Sequence, residues 1–264
     1  MSTTRTCSGR AWASGCYVAR RAVFPLAYCA QLASAAMFFA IAGAASFPLW
    51  AAWRLGAISA RSGQRVIGRL FWIHMWWMRA TGMLRLEVRG LEALRDMRGT
   101  IIVSNHPTLL DAPFLCANLP PAACVIRADI LRNPLLSGGA LAAGYVTNDS
   151  GPGFVRQGIE KVRAGQNLLV FPEGTRTLAR PVNRFKNGFA LVAARAGAPV
   201  RAVVIEYSGV HLTKGVSLFA PAAVPLRFTI RPGELFHLEA GESAPDFSRR
   251  IEGWFRRELA EASG

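Results

Sequence analysis

The sequence predicts an α/β fold in which a mostly parallel, mixed sheet is flanked by helices and preceded by an N-terminal hydrophobic, membrane-associating helical segment. Beyond residue 80, short apolar runs rich in β-branched residues occur at 84–88, 100–103, 124–127, 167–171, 200–205 and 226–230. Helix-like segments separate them at 109–118, 131–143, 154–164, 187–196 and 244–260. Strands that alternate with helices form a largely parallel sheet covered on both faces. Polar clusters follow two of the runs, where an α/β protein commonly builds its site.

The N-terminal third is dominated by an uncharged stretch. No Asp, Glu, Lys or Arg occurs from residue 22 to residue 53, which is longer than the about 20 residues of one membrane span and shorter than two spans. Arginines flank both ends, and cationic flanks prefer the cytoplasmic side. Because Gly43 and Pro48 offer bends, we expect a re-entrant helical hairpin that dips into one leaflet, with a single tilted span as the alternative. A cleaved signal peptide is disfavoured, since the run is too long for an ordinary signal sequence.

A second segment, residues 64–83, has an unusual mixture of aromatic and basic residues. It contains Phe71, Trp72, Trp76 and Trp77 together with Arg65, Arg69 and Arg79. Tryptophan and arginine on one helix are typical of anchoring at a membrane interface, and an aromatic-rich core helix is the alternative. The change of texture near residue 80 divides the chain into a membrane-associating helical segment, 1–80, and an α/β domain, 81–264. Membrane lipid is therefore an expected partner.

The composition is both basic and apolar. Arginine supplies 28 of the 31 cationic side chains, against 16 acidic ones, and the formal net charge is +15. Apolar residues make up 52 % of the chain, and the mean hydropathy is +0.24. A chain of 264 residues can bury a sizeable core. The basic balance suits nucleic acid, anionic lipid head groups or an acidic partner protein, and composition alone does not choose among them.

The cysteines indicate neither a disulfide framework nor a zinc site. There are five, an odd number, and none has CxxC spacing: Cys7, Cys16, Cys29, Cys116 and Cys124. Such a set is typical of thiols that stay reduced in a cytoplasm. We expect no structural metal.

The first polar cluster follows the run 100–103, where Asn105 and His106 precede Pro107, and Asp111 lies five positions after the histidine. A helical turn that begins at Pro107 would place Asp111 about one turn inside the helix, from where its carboxylate reaches back to the ring. A carboxylate on Nδ1 fixes the tautomer and leaves Nε2 as a general base. The alternative is a helix-capping aspartate beside an unrelated histidine. The strand-end position and the preceding Asn105 favour the catalytic pair.

The second polar cluster is the turn Phe-Pro-Glu-Gly-Thr-Arg, which begins as the run 167–171 ends. Its proline and glycine predict a tight turn that leaves the backbone N–H groups of Gly174 and Thr175 free to meet an anion. Arg176 adds a planar fork suited to phosphate. The alternative is an ion pair between Arg176 and Glu173 that only ties down a loop.

Together, Asn-His-Pro-x3-Asp and Phe-Pro-Glu-Gly-Thr-Arg resemble the paired motifs of the glycerolipid acyltransferases, the family of the lysophosphatidate (1-acylglycerol-3-phosphate) and lysophospholipid acyltransferases. The resemblance covers roughly residues 80–232, and a hydrophobic N-terminus often accompanies it. It implies transfer of a fatty acyl group from an acyl thioester, of acyl carrier protein or coenzyme A, to the hydroxyl of a lysolipid. The acceptor it indicates first is 1-acylglycerol-3-phosphate, in phospholipid biosynthesis.

The resemblance also implies roles for the two clusters. His106 would be the base and Asp111 the residue that orients it. The acceptor's phosphate would be held by the residues of the second turn, Glu173, Gly174, Thr175 and Arg176. No metal, no cofactor beyond the acyl-ACP or acyl-CoA co-substrate, no acyl-enzyme intermediate and no nucleic-acid partner are expected. The site would lie at the cytoplasmic face of a cell inner membrane.

Two departures from the family pattern concern the acceptor. Members usually carry Asp-Arg in a block between the two motifs, and this chain has Asn148 and Asp149 there. Without that arginine one phosphate-binding group is missing, for which Arg127 or Arg156 could substitute. The proline usual in the strand of the last motif is replaced by Ala202.

The sequence leaves other functions open. The acceptor could be a lyso-ornithine lipid or another specialised lipid instead of a phosphate ester. The histidine could activate water, which would make the protein a hydrolase. A non-catalytic, membrane-tethered basic protein that binds lipid or nucleic acid would explain the charge but not the paired motifs. His74 lies in the Trp-rich segment and is expected to be interfacial, and His211 and His237 lack acidic partners at a useful spacing, so all three are poor catalytic candidates.

Overall fold

The computed structural model describes residues 11–148 and 151–261, with side chains described for 26–148 and 153–261. Its helices are α1 Ala11–Arg54, α2 Ala60–Ala80, α3 Asp111–Asn118, α4 Ala128–Arg132, α5 Pro134–Ala142, α6 Gly151–Arg163, α7 Gly188–Ala196 and α8 Ala244–Glu261. Its strands are β1 Leu84–Val88, β2 Ile101–Ser104, β3 Ala122–Ile126, β4 Val146–Thr147, β5 Asn167–Val170, β6 Val200–Tyr207 and β7 Leu226–Phe236. A single 3-10 turn, Leu91–Leu94, follows β1.

The strands form one seven-stranded sheet in the order β1-β7-β6-β2-β5-β3-β4. All neighbours are parallel except β6 and β7, which pair antiparallel. The predicted mostly parallel, mixed sheet is therefore confirmed, although the prediction lacks β4 because two residues carry too little pattern. The two strands that precede the polar clusters, β2 and β5, are adjacent at its centre. Their carboxyl ends consequently bring both motifs to the same edge of the sheet.

Helices cover both faces of the sheet, as the sequence predicts. One face packs against α6, α7 and α8 through fully or almost fully buried side chains such as Phe189, Phe247 and Phe255. The other packs against α2 and α3, with Met75 and Phe114 in the core. Successive residues of β2 point to opposite faces, and both faces are covered, which is why the whole strand is buried and its first three residues are apolar.

The expected hairpin within residues 22–53 is wrong, because α1 runs without a break to Arg54. Gly43 serves packing instead of bending: a Cβ there would lie 2.8 Å from the Cδ2 atom of Leu135 on α5. Pro48 lies within the continuing helix, where it lacks the N–H of one backbone hydrogen bond. The chain reverses direction after Arg54, in the loop 55–59. The reversal therefore lies between α1 and α2 and not within residues 22–53.

The alternative of one uninterrupted helix is the observed arrangement. Within its stretch Leu26–Arg54, the most apolar 18-residue window has a mean hydropathy of 1.7, and only 11 % of that window is buried within the protein. By length and composition, it is the one helix in the described part of the chain that could cross a membrane. Large side chains nearby are exposed, among them Phe47 on α1 and Trp72 and Trp76 on α2. Arg20 and Arg21, the arginines that precede the uncharged stretch 22–53, have side chains outside those that the structure describes.

Both N-terminal helices pack directly on the α/β part, and glycines allow the contact. Gly138 of α5 lies against the carbonyl of Ser46 on α1, where a Cβ would clash with backbone. Gly68 of α2 approaches the carbonyl of Cys116 on α3, and a Cβ there would be 2.6 Å away. The Ser46 hydroxyl also accepts a hydrogen bond from Gly138 N at 3.0 Å. The division of the chain at residue 80 stays a prediction.

Candidate active site

The end of β2 is tied to β6 by a side chain. Asn105 donates from Nδ2 to the carbonyl of Ile205 at 2.7 Å and accepts from its N–H at 2.8 Å. This reciprocal pair extends the β2–β6 contact by one residue beyond Ser104, the last residue of β2. The backbone of His106 is thus held in place directly beyond the sheet edge.

His106 and Asp111 form the predicted pair, with 2.8 Å between Nδ1 and Oδ2. Asp111 is fully buried, and its carboxylate also accepts from the N–H and the hydroxyl of Thr108 at 2.7 and 2.6 Å. A carboxylate that accepts from all these groups requires His106 to donate from Nδ1, so in the neutral ring Nε2 is the nitrogen that can accept a proton. The imidazole stacks on Phe171, with ring centroids 4.2 Å apart, and lines a large cavity.

The local structure between the pair differs from the prediction. Pro107 does not begin a helix: α3 begins at Asp111, so the aspartate lies at its first position and not one turn inside. The reason is the short-range bonding of Thr108, whose hydroxyl also accepts from Leu110 N at 3.2 Å. These bonds hold the segment in an irregular turn that competes with helix.

Glu173 is buried beneath the two motifs, only 3 % exposed, and does not line the cavity. Its Oε1 accepts from His106 N at 2.9 Å and from the Thr177 hydroxyl at 2.8 Å, and its Oε2 accepts from Asn183 N at 2.9 Å. Burial raises the pKa of its carboxyl, although these hydrogen bonds oppose the shift. Thr177 N in turn donates to His106 O at 2.8 Å. Glu173 therefore braces the backbone of the histidine.

The alternative ion pair between Glu173 and Arg176 is not found among the described residues. Arg176 instead donates from Nη1 to the carbonyls of Leu212 and Thr213, at 2.8 and 3.0 Å. The guanidinium also lines the cavity, so its other nitrogens are available to a ligand there. Its phosphate-binding role stays a prediction.

The expectation of two free amides in this turn is wrong for Gly174, whose N–H donates to Phe171 O at 3.0 Å. Closing the turn this way puts Gly174 at φ +69°, a conformation that favours glycine. The Lys186 side chain packs over it, and a Cβ would lie 2.8 Å from Nζ. Thr175 N has no hydrogen-bond partner within the described residues. Thr175 Oγ1 accepts from Lys214 Nζ at 2.7 Å.

A single cavity of about 980 Å³ runs along this edge of the sheet and beneath the N-terminal helices. Its polar end contains His106 and the second motif turn. Its cationic side chains are Arg127, Arg176, Lys186, Arg195 and Lys214. Its apolar walls come largely from α1 and α2, for example Phe38, Leu49 and Phe71. The cavity is thus amphipathic, with Arg176, Lys186 and Lys214 around the second motif turn and apolar side chains from α1 and α2 elsewhere in its wall.

Of the two candidate substitutes for the family's middle arginine, Arg127 lines the cavity and Arg156 does not. Arg127 is paired with Asp129 at 2.8 Å. Asn148 also lines the cavity, whereas Asp149 lies outside the described residues. Ala202 sits at the shift of register between β6 and β7, where an irregular strand tolerates proline as well as alanine.

Sequence reasoning missed Lys214, because it lies in an irregular loop with no motif around it. His74 and His211 line the cavity, but neither has a carboxylate partner among the described residues.

In the described part of the chain, no group of three or more His, Cys, Asp or Glu side chains is arranged to hold a metal. Cys29, Cys116 and Cys124 are free thiols, and the side chains of Cys7 and Cys16 lie outside those described.

A strand-end histidine oriented by a buried aspartate, on the wall of an amphipathic cavity, is a candidate general base for a substrate held there, as the resemblance to acyltransferases implies. Comparison with known proteins supports that resemblance. Residues 85–206 match the family model described as Acyltransferase. This range contains both motifs and six of the seven strands in whole or in part.

Named relatives agree with the match. A 1-acyl-sn-glycerol-3-phosphate acyltransferase of Pseudomonas aeruginosa is 27 % identical over 195 residues, which are 72 % of this chain and 74 % of that protein. A lyso-ornithine lipid O-acyltransferase of the same organism is 31 % identical over 144 residues, which are 50 % of this chain and 52 % of that protein. This chain therefore spans about half the length of the second relative.

The fold has a solved counterpart. The crystal structure of the 1-acyl-sn-glycerophosphate acyltransferase PlsC from Thermotoga maritima superposes with a TM-score of 0.72 at 22 % identity, covering 93 % of this chain and 98 % of that one. The resemblance inferred from the paired motifs is confirmed, and the matched family model and named relatives support an O-acyltransferase. Its long apolar helix suits membrane association by length and composition.

Proposed function

We propose that this enzyme transfers a fatty acyl group from an acyl thioester to the free hydroxyl of a lysolipid, and that its principal acceptor is 1-acylglycerol-3-phosphate. One observation carries the proposal: His106, held by Asp111 at 2.8 Å, lies on the wall of a cavity that joins a cationic end to an apolar one. A lysolipid with an anionic head group matches this cavity, because its head group suits the cationic side chains and its acyl chain suits the apolar wall. Two relatives from P. aeruginosa are named for lysolipid acceptors, one for 1-acyl-sn-glycerol-3-phosphate and the other for lyso-ornithine lipid.

In the proposed reaction, Nε2 of His106 removes the proton from the acceptor hydroxyl as its oxygen attacks the thioester carbonyl. The buried Asp111 carboxylate stabilises the imidazolium that forms. The tetrahedral intermediate then expels the thiolate, which takes the proton from the imidazolium. An ester and a free thiol are the products, and no covalent enzyme intermediate is needed.

The donor is proposed to be acyl carrier protein or coenzyme A, with the acyl chain lying along the apolar wall. Both carriers are anionic, and the cationic side chains at the polar end, Arg176 and Lys186 among them, would attract either one. We place the site at the cytoplasmic face of the inner membrane, because both carriers are cytoplasmic.

A lyso-ornithine lipid is the second candidate acceptor. Asn148 in the cavity wall favours it, because the Asp-Arg pair usual in phosphate-binding relatives is absent at this point. A relative that uses a lyso-ornithine lipid is also 31 % identical to this chain over the matched region.

The test uses membranes that contain the wild type, His106→Ala or His237→Ala, the last being an exposed histidine outside the cavity lining. Labelled acyl-ACP and acyl-CoA are offered with lysophosphatidate, lyso-ornithine lipid or no acceptor. We expect acylated lysophosphatidate from the wild type and from His237→Ala only. Acylation of lyso-ornithine lipid alone would favour the second candidate, and release of free fatty acid without acceptor would indicate a hydrolase. Equal product from His106→Ala would exclude the mechanism.

A further inference from the structure

The loop 208–225 between β6 and β7, here the β6–β7 loop, contacts both motifs at a strained residue. Leu212 is the only non-glycine residue of the described chain with φ in the left-handed region, at +65°. Such a conformation costs about 1 kcal/mol or more and persists only where surrounding contacts hold it. Its carbonyl accepts from Leu109 N at 3.1 Å and from Arg176 Nη1 at 2.8 Å. One backbone oxygen therefore links the His106–Asp111 turn to the second motif.

The same loop carries a cation into the cavity wall. Lys214 is exposed, lines the cavity and donates to the Thr175 hydroxyl at 2.7 Å. Lys186 lies over Gly174, the residue before Thr175, and Arg176 is the residue after Thr175. Two backbone segments thus present three cations around one short turn.

Among the described residues, no carboxylate lies within ion-pair distance of these cations. Asp129 is the one carboxylate in the cavity wall among the described residues, and it is paired with Arg127 at 2.8 Å. No ion pair involves Arg176, Lys186 or Lys214 in the described part of the chain. Like charges held together in this way favour binding of an anion between them.

The far end of the β6–β7 loop is held by two polar side chains of α1: Tyr28, whose hydroxyl donates to the carbonyl of Phe219 at 3.0 Å, and Gln31, which makes more of the hydrogen bonds. Gln31 Nε2 donates to the carbonyls of Leu218 and Ala220, at 3.2 and 2.8 Å, and its Oε1 accepts from Ala222 N at 2.9 Å. Gln31 is buried and interrupts an otherwise largely apolar stretch of the helix. Three hydrogen bonds to one loop explain why an amide occupies this position.

We propose that Lys214 binds the anionic head group of the acceptor in place of the family's middle arginine, and that Gln31 is a positioning residue that holds the β6–β7 loop in register. The inference rests on the proposed function for the identity of the acceptor. The ligand chemistry is a phosphate monoester on a single-chain lipid.

The first measurement is binding, which does not depend on turnover. Lysophosphatidate and uncharged monoacylglycerol are titrated separately in mixed micelles into the wild type, Lys214→Met and Arg227→Gln. Arg227→Gln removes one positive charge from an exposed position outside the cavity lining. We expect Lys214→Met to weaken lysophosphatidate binding about tenfold, the value of one charge-assisted hydrogen bond, and to leave monoacylglycerol binding unchanged. Arg227→Gln is expected to bind both lipids as the wild type does.

The second measurement is a double-mutant cycle between Lys214→Met and Gln31→Leu. If Gln31 acts by placing Lys214, Gln31→Leu weakens lysophosphatidate binding on its own but adds little to Lys214→Met. Fully additive losses would contradict the positioning role. In active preparations, both variants should raise the KM of lysophosphatidate with kcat within about twofold of the wild type.

The outcomes separate this inference from the proposed function. Unchanged lysophosphatidate binding by Lys214→Met overturns the inference, whether or not acyl transfer is observed. An equal loss of monoacylglycerol binding also overturns it, because the effect would not concern charge. Absence of acyl transfer by the wild type rejects the proposed function alone, since the selective binding loss is measured without a donor.

Discussion

In the His106 ring, Nδ1 is hydrogen-bonded to the protein, and Nε2 is the nitrogen available to act as a base. Asp111 holds Nδ1 at 2.8 Å, and Thr108 occupies both carboxylate oxygens from the opposite side. Glu173 fixes the backbone of the histidine from below. With the ring stacked on Phe171, the imidazole has little freedom to turn, so the direction of its basic nitrogen is set before substrate binds.

Replacing Asp111 with Asn tests the orientation of the ring. The amide would present an N–H₂ group either to Thr108 or to Nδ1 of His106, and the latter arrangement favours the wrong tautomer. We expect kcat to fall about a thousandfold or more, with the fold retained, by analogy with aspartate-to-asparagine changes in other His–Asp pairs. Acyl-transfer rates and thermal unfolding measure the two effects. Asp96→Asn, at an exposed site, is the matched control, and a loss below tenfold would contradict the role.

His74 makes the stability of the protein depend on pH. Its ring is 5 % exposed, its Nδ1 has no partner in the described residues, and burial lowers its pKa from 6.5 to about 4. The unfolded chain therefore takes up a proton first as pH falls. The free energy of unfolding consequently decreases as pH drops through 6.5 towards 4.

We expect this group to account for about 2 kcal/mol of lost stability between pH 7.5 and pH 5. His74→Phe keeps an aromatic ring beside Phe38, whose centroid is 5.4 Å from the imidazole, and removes the titration. Denaturant unfolding at several pH values should give a flatter profile for the variant. A residual slope is expected because burial also lowers the pKa of His211. Identical slopes in the two proteins would contradict the assignment.

Among the elements, α1 and α5 form an unusually close pair. Gly138 lies directly on the backbone of Ser46, and the Ser46 hydroxyl accepts from Gly138 N and donates to Pro134 O, at 3.0 Å in both cases. Gly43 makes the reciprocal contact from α1 to Leu135. The apolar helix is therefore packed as part of the catalytic fold, and it supplies walls of the cavity.

Gly138→Ala should separate α1 from α5, because the added Cβ would meet backbone and not a side chain that can move. We expect a loss of about 2–3 kcal/mol, measured by thermal unfolding in detergent. Gly253→Ala on α8 is the control, since its Cβ would have only Arg257 Nη1 near it, at 3.7 Å. That change should be neutral or stabilise by up to about 1 kcal/mol. Equal stability of the two variants would refute the close packing.

For the molecule as a whole, the positive net charge and the exposed apolar side chains both favour binding to an anionic membrane. The formal charge is +15, and α1 and α2 expose large side chains such as Trp50, Trp53, Trp72 and Trp76. A protein with both properties binds an anionic bilayer by charge and by insertion of apolar groups. The amphipathic cavity lies beneath the same two helices.

We expect tighter binding to vesicles that contain anionic phospholipid than to purely zwitterionic ones. Raising the salt concentration from about 0.1 to about 0.5 M should weaken binding to the anionic vesicles, because the Debye length shortens to about 4 Å, but should not abolish it. Vesicle flotation measures the bound fraction in each case. Binding that ignores both lipid charge and salt would show that apolar contact alone anchors the protein.

Much of this arrangement follows from local pattern in the sequence. The central strands β2 and β5 consist mostly of consecutive apolar residues because both faces of the sheet are covered, and such runs are readable without a structure. His106 and Asp111 are five residues apart, so only a short turn decides their contact. The second motif lies after β5 because its proline and glycine end that strand.

The remaining features depend on contacts between segments far apart in the chain. Glu173 reaches the His106 backbone across 67 positions, and Gln31 reaches Ala222 across 191, so no sequence spacing announces either bond. The sequence predicts a bend near Gly43 and Pro48, in a helix that the fold keeps continuous. The class of fold and the catalytic pair can thus be derived from local pattern. The shape of the cavity and the cations around it follow from the packing of α1, α5 and the β6–β7 loop, since burial depends on what lies opposite each residue.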